Sequence, residues 1–253
     1  MNTIGLWTFI KREFGRFSRV ATQTIITPCI SALLYIFVFG RVVGTHIPQI
    51  EGAEYIDFVL PGIITMNIIM AAFSQTAFSL YFQRFARHIE EVLVAPFAYW
   101  EMIIGYVLGG LLRAVTVGIG IYIIAVFFSA ASFAHFGMFM FYALSVAILF
   151  SFIGLLIGLW AESFEQLNIL NTFFIMPLSF LGGMFNSVSM LPPWLQTIVH
   201  WNPFFYFIDG VRYSMVNIRE AHAGIGLLVI ICSLVSTGVL VWYLFYKGYR
   251  LRP

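Results

Sequence analysis

Six apolar runs constrain this chain more than any other feature. They occupy roughly residues 20–40, 58–82, 101–128, 137–160, 167–185 and 223–246. At about 1.5 Å per helical residue, each is long enough to cross a hydrocarbon layer about 30 Å thick, given tilt or local thinning. Backbone N–H and C=O groups in lipid must be paired internally, and these runs lack the alternation of a barrel strand, so they predict helices. Charged residues make up only 9% of the chain and hydrophobic residues 61%, against about 25% charged in a soluble domain. The expected fold is an all-α integral membrane protein with six transmembrane helices, forming one domain over residues 1–253. The run after residue 19 is too long for the core of a cleavable signal peptide, so a spanning helix is expected there.

Lys and Arg set the expected orientation. With the N-terminus inside, the inner segments carry Lys11, Arg12, Arg16, Arg19, Arg84, Arg87, Lys247, Arg250 and Arg252. The outer segments carry only Arg41, Arg212 and Arg219, and Arg113 falls within a span. That bias predicts both termini in the cytoplasm. Before the first span, Trp7, Ile10, Phe14 and Phe17 recur at helical spacing opposite Arg12, Arg16 and Arg19, with Phe9 misplaced on the polar side. An amphipathic helix lying on the membrane surface over residues 1–19 follows.

Two connecting segments are unlike plain loops. The cytoplasmic loop 83–100 gathers Arg84, Arg87, His88, Glu90 and Glu91, while Phe85, Ile89, Val92 and Leu93 recur at helical spacing. A short surface helix is expected. It serves either as a charge anchor fixing topology or as a docking element for a partner. On the outer side, residues 186–222 are broken by LPPW at 191–194 and by HWNP at 200–203. The apolar run that follows is short and holds Asp209 and Arg212 three apart on one helical face. A re-entrant helical hairpin dipping into the outer leaflet fits that pattern.

Catalytic chemistry finds no support. There is no GxxxxGK[ST] phosphate loop, no HExxH and no GxSxG, and five scattered histidines lack metal-ligand spacing. A net charge of +2 gives no reason to expect nucleic acid. Cys29 and Cys232 sit in apolar runs and imply no disulfide. Arg113 falls near the bilayer midplane, where an arginine costs about 2.5–3.5 kcal/mol. It contacts a substrate or gating partner, or else bonds carbonyls or Asn168 or Asn171 of another span. Pro28, Pro61 and Pro177 predict kinks, Gly182 and Gly183 a flexible joint, and Gly105/Gly109 and Gly154/Gly158 close helix packing.

RHIEEVLVAPFAYWEMIIGYVLGGLLR (87–113) and MLPPWLQTIVHWNPFFYFIDGVR (190–212) together resemble ATP-binding-cassette (ABC) exporter permeases of the type 2 class. IEEVLVAP is similar to that family's loop element, and the Leu-Pro pair, Asn-Pro and following arginine are similar to its outer hairpin. The resemblance implies a permease without an ATPase of its own. Two permeases, as a homodimer in a bacterial inner membrane, would pair with two copies of a separate ABC ATPase subunit that binds ATP and Mg. The 83–96 loop would be the coupling helix, with Arg84, Phe85, Arg87, Ile89, Glu90, Glu91 and Leu93 facing the ATPase. Leu191, Pro192, Pro193, Asn202, Pro203, Asp209 and Arg212 would gate the exit, and Arg113, Asn168 and Asn171 would line the path. An amphipathic or lipid-linked cargo moving outward is the expected substrate. An ion-coupled secondary transporter is the alternative, which would need deep carboxylates or unwound sites for its ion.

Overall fold

A computed structural model describes residues 3–19, 22–46, 49–94, 98–128 and 132–251. Among them run the α-helices α1 (Thr3–Arg19), α2 (Thr27–Phe37), α3 (Tyr55–Phe85), α4 (Ile89–Val94) and α5 (Tyr99–Val126). They continue with α6 (Phe136–Trp160), α7 (Phe164–Leu170), α8 (Met176–Leu181), α9 (Pro193–Trp201), α10 (Pro203–Val216) and α11 (Ala223–Tyr246). A small antiparallel hairpin, β1 (Gln49–Ile50) and β2 (Ala53–Glu54), pairs Gln49 with Glu54 just before α3.

Five described helices are long and apolar enough to cross a membrane: Thr22–Gly40, Tyr55–Phe85, Tyr99–Val126, Phe136–Trp160 and Ala223–Tyr246. The run expected over 167–185 departs from that pattern. It is helical over 164–181 but in three pieces, α7, a π-helical turn at Asn171–Ile175, and α8. Glu165, Gln166, Asn168 and Asn171 make its first half polar. It stops at Leu181, because Gly182 caps it and Gly183 turns the chain at a φ of +81°.

Prolines explain two of the three π-helical turns among the described residues, the third being Val38–Val43. Pro28 follows the π turn Thr22–Ile26, and Pro177 follows Asn171–Ile175. A proline ring clashes with the carbonyl four residues earlier and supplies no N–H. Widening the preceding turn removes both problems without breaking the helix. Pro61, by contrast, lies within continuous α3, where the Thr65 hydroxyl donates to the Pro61 carbonyl at 2.7 Å.

α3 is the centre of the bundle. It packs most extensively on α6 and α5, and then on α10. It is apolar all round and buried nearly all round, as a helix without a polar face must be. Gly154 and Gly158 of α6 let the α3 backbone approach at Phe73 and Ala77. The other pair behaves differently. Gly105 and Gly109 of α5 accept not a span but the surface helix α1, through Phe9 and Glu13. The expected stripe of α1 therefore points away from the bundle, with Trp7 and Phe14 exposed, while the misplaced Phe9 docks it and meets Tyr106 edge-on at 5.0 Å. The side chain of Phe17 lies outside the described residues.

Candidate functional site: a charged loop helix and two buried polar knots

At about 1.5 Å per residue, the 31 residues of α3 reach well beyond a hydrocarbon layer. At its end the chain turns through Ala86–His88, with Arg87 at a φ of +58°, into the six-residue α4. The residues expected to face a partner divide into two sets. Phe85, Arg87, Glu90 and Glu91 are exposed. So are His88 and Val94, and Val94 is a residue the loop pattern had not singled out. Arg84 and Ile89 instead point into the protein. Ile89 is buried beside Phe9, Leu80, Tyr106, Leu159 and Leu251. Arg84 donates to the carbonyls of Gly158 at 2.7 Å, Leu159 at 2.8 Å and Ala161 at 3.3 Å. The Leu93 side chain and residues 95–97 lie outside the described residues.

Arg84 thus caps the C-terminal end of α6, whose last carbonyls have no helical partner and carry the negative end of the helix dipole. Arg250 completes the cap, donating to the Trp160 carbonyl at 2.7 Å and pairing with Glu162 at 3.1 Å. Ser163 then starts α7 by accepting from the Gln166 N–H. The loop helix, the α6–α7 joint and the C-terminal segment are one fastened unit. Phe85 stacks on Tyr81 and meets Phe164 of α7 edge-on at 5.5 Å.

A second knot joins α1 to α3 and α5. Glu13 is 1% exposed. It accepts from Ser79 at 2.7 Å and Gln83 at 3.1 Å, and it pairs with Arg16. Gln83 in turn accepts from Arg12 and from the Tyr106 hydroxyl, both at 2.9 Å. Sequence reasoning overlooked Glu13. Its available signal was that it stands as the lone acid among Lys11, Arg12, Arg16 and Arg19.

Arg113 donates to Gln75 of α3 at a long 3.4 Å, a partner outside the alternatives of substrate, carbonyls, Asn168 or Asn171. The bundle brings α3 beside α5 at that level, so an amide on α3 is in reach. Its Nε is buried without a hydrogen-bond partner among the described residues, as is Oδ1 of Asn171.

The opposite end holds the third charged group. Arg212 has no exposed surface. It donates to the Phe58 carbonyl at 3.2 Å, to the Gly183 carbonyl and to Glu220 at 3.1 Å, and its guanidinium stacks on the Phe58 ring at 3.9 Å. Asp209 accepts from the Glu220 N–H at 2.7 Å and faces Arg219 at 3.9 Å. Asp209 and Arg212, three apart on one helical face, take separate bonds to Glu220, because the segment after α10 folds back onto both. Burial pushes the Asp209 carboxyl up to about 6, against the pull of the Glu220 and Ala221 N–H groups and both arginines. The Gly182–Gly183 joint is likewise pinned by Arg212 through the Gly183 carbonyl. Pro193 and Pro203 occupy the first turns of α9 and α10. Asn202 between them accepts from the Phe204 N–H at 3.0 Å and donates to the Leu178 carbonyl at 2.7 Å. Pro192 precedes α9 as its N-cap, and half-buried Leu191 packs on the cluster of Val188, Val199 and Phe205.

The described residues thus form a bundle of helices long and apolar enough to cross a membrane, with a charged loop helix rooted at one end and a pinned helical pair at the other. The family model for ABC-2 type transporters matches residues 5–216, and the chain belongs to that family. Among its relatives, the inner membrane transport permease YadH of Escherichia coli (strain K12) is 36% identical over 251 residues, covering 97% of this chain and 98% of the relative. Nodulation protein J of Rhizobium meliloti (strain 1021) is 24% identical over 239 residues, covering 92% and 88%. Nodulation protein J of Rhizobium leguminosarum bv. viciae is 24% identical over 250 residues, covering 95% and 94%.

Proposed function

We propose that this chain is the membrane-spanning subunit of an ABC exporter in a bacterial inner membrane. It works as a homodimer with two copies of a separate ATPase subunit that binds ATP and Mg. It moves an amphipathic or lipid-linked molecule outward. Both termini and α4 face the cytoplasm, and residues 164–181 make a sixth crossing despite their polar first half. The 186–222 segment is a re-entrant hairpin closing the outer side, with the Arg212 knot as its latch. Arg113, Asn168 and Asn171 serve the path.

The observation that carries this reading is the mounting of α4. Its exposed Arg87, Glu90, Glu91 and Val94 offer both charge signs and an apolar contact to a partner. That mix suits a specific protein interface. Its roots, Ile89 and Arg84, run into the bundle and onto α6, so a push on α4 is delivered to two crossings at once. The test is Glu91→Lys. The variant should insert normally, yet lose co-purification of the ATPase and permease-stimulated hydrolysis. Unchanged ATPase recovery and turnover would remove α4 as the docking element.

A further inference from the structure

Beside α4, a cleft of about 530 Å³ opens between α1 and the end of α3. Its charged and titratable lining is Lys11, Arg12, Arg16, Arg19, His88 and Glu91. Arg16 spends its charge on buried Glu13. Among the described residues, Arg12 bonds neutral partners, the Gln83 amide oxygen and the face of the Phe9 ring. Lys11 and Arg19 are exposed and have no acceptor among the described residues. Three uncompensated cations therefore face one exposed carboxylate, and the cleft carries net positive potential. Two exposed phenylalanines complete the lining, Phe14 on α1 and Phe82 on α3. Phe82 sits three residues from the end of a helix long enough to cross the membrane, and Phe14 belongs to the outward stripe of an amphipathic helix. With α3 crossing a bilayer, the cations would stand on the water side of this aromatic shelf.

A free anion in solution has no use for that shelf, whereas a phospholipid matches both parts, its phosphate the cations and its chains the two rings. We propose that the cleft binds an anionic glycerophospholipid of the inner leaflet. Lys11, Arg12 and Arg19 take the phosphodiester, and Phe14 and Phe82 lie against the acyl chains. The bound lipid bridges α1 to the end of α3 beside α4, so leaflet charge bears on the loop helix that meets the ATPase. The inference rests on the proposed cytoplasmic placement of α4.

The test is native mass spectrometry of the permease, purified without any ATPase from vesicles of equal phosphatidylglycerol and phosphatidylcholine. The native chain should retain phosphatidylglycerol preferentially. Replacing both Lys11→Gln and Arg19→Gln should cut that retention about twenty-five-fold, since each basic side chain near an anionic surface is worth roughly a fivefold factor. α1 is held by Phe9 and Glu13, so the thermal unfolding of this double variant should be unchanged. Lys247→Gln, at the same end but outside the cleft, should retain lipid like the native chain. Equal retention in the double variant, or equal loss in Lys247→Gln, would overturn the site in favour of diffuse attraction. A double variant that keeps its lipid but no longer holds the ATPase would overturn it in favour of protein docking. Because lipid retention is read without the ATPase, failure of the docking reading alone leaves this result standing.

Discussion

Arg212 and Arg113 are both arginines set among apolar side chains, and their surroundings give them different work. Arg212 uses all three guanidinium nitrogens on fixed acceptors, two backbone carbonyls and Glu220, with the Phe58 ring against its face. Removing it strands a buried carboxylate and two carbonyls. Arg212→Gln should cost about 3–5 kcal/mol, the usual penalty for breaking a buried ion pair from one side. The variant should melt earlier in detergent and accumulate poorly. Full accumulation with an unchanged melting temperature would remove its structural role. Among the described residues, Arg113 has one long bond and a buried Nε without a partner. A spare donor at that depth is expensive unless something uses it. Arg113→Gln should accumulate and bind the ATPase normally while export of the cargo falls at least tenfold. Loss of the protein from the membrane would instead mark Arg113 as a folding residue.

At the scale of elements, the α4 mount separates holding a partner from transmitting its motion. Glu90 and Glu91 face outward, whereas Arg84 fastens the loop to the end of α6. Arg84→Gln gives up charge-assisted bonds worth about 1.5–3 kcal/mol each in favourable cases, discounted here because the side chain is only half-buried. The variant should still recover the ATPase on purification, but basal and cargo-stimulated hydrolysis should converge. Loss of ATPase binding in Arg84→Gln would mean that the cap shapes the docking surface itself. The two π turns that precede prolines belong to this scale as well. Pro28 and Pro177 announced irregular helices in the sequence. That the irregularity takes the form of a widened turn, one turn upstream, follows from where the ring meets the backbone.

At the scale of the whole molecule, the number of crossings decides which faces share a side. Residues 164–181 decide that number, because they are helical but polar at one end. With six crossings, α1 and the end of α11 lie on the same side as α4. In a chain with Cys29 and Cys232 replaced by serine, Thr8→Cys and Tyr249→Cys should both react with an impermeant thiol reagent only after permeabilisation. Glu54→Cys should react in intact cells. Labelling of Thr8→Cys and Tyr249→Cys from opposite sides would show that 164–181 does not cross.

Composition and periodicity by themselves determined that this chain is a helical membrane bundle, where five of its long helices run, and that loop 83–96 and segment 186–222 are not plain connections. Those features are local. Apolar length, helical spacing and proline positions act on a few neighbouring residues, so a linear reading captures them. The partners of the charges were decided only by the tertiary structure. Glu220 reaches Arg212, Gln75 reaches Arg113, Glu13 enters between α3 and α5, and Phe9 docks α1 against the trend of its own stripe. A buried polar group takes whichever complementary group the packed helices bring within about 3 Å. That choice depends on which helices pack face to face, and spacing along the chain does not encode it.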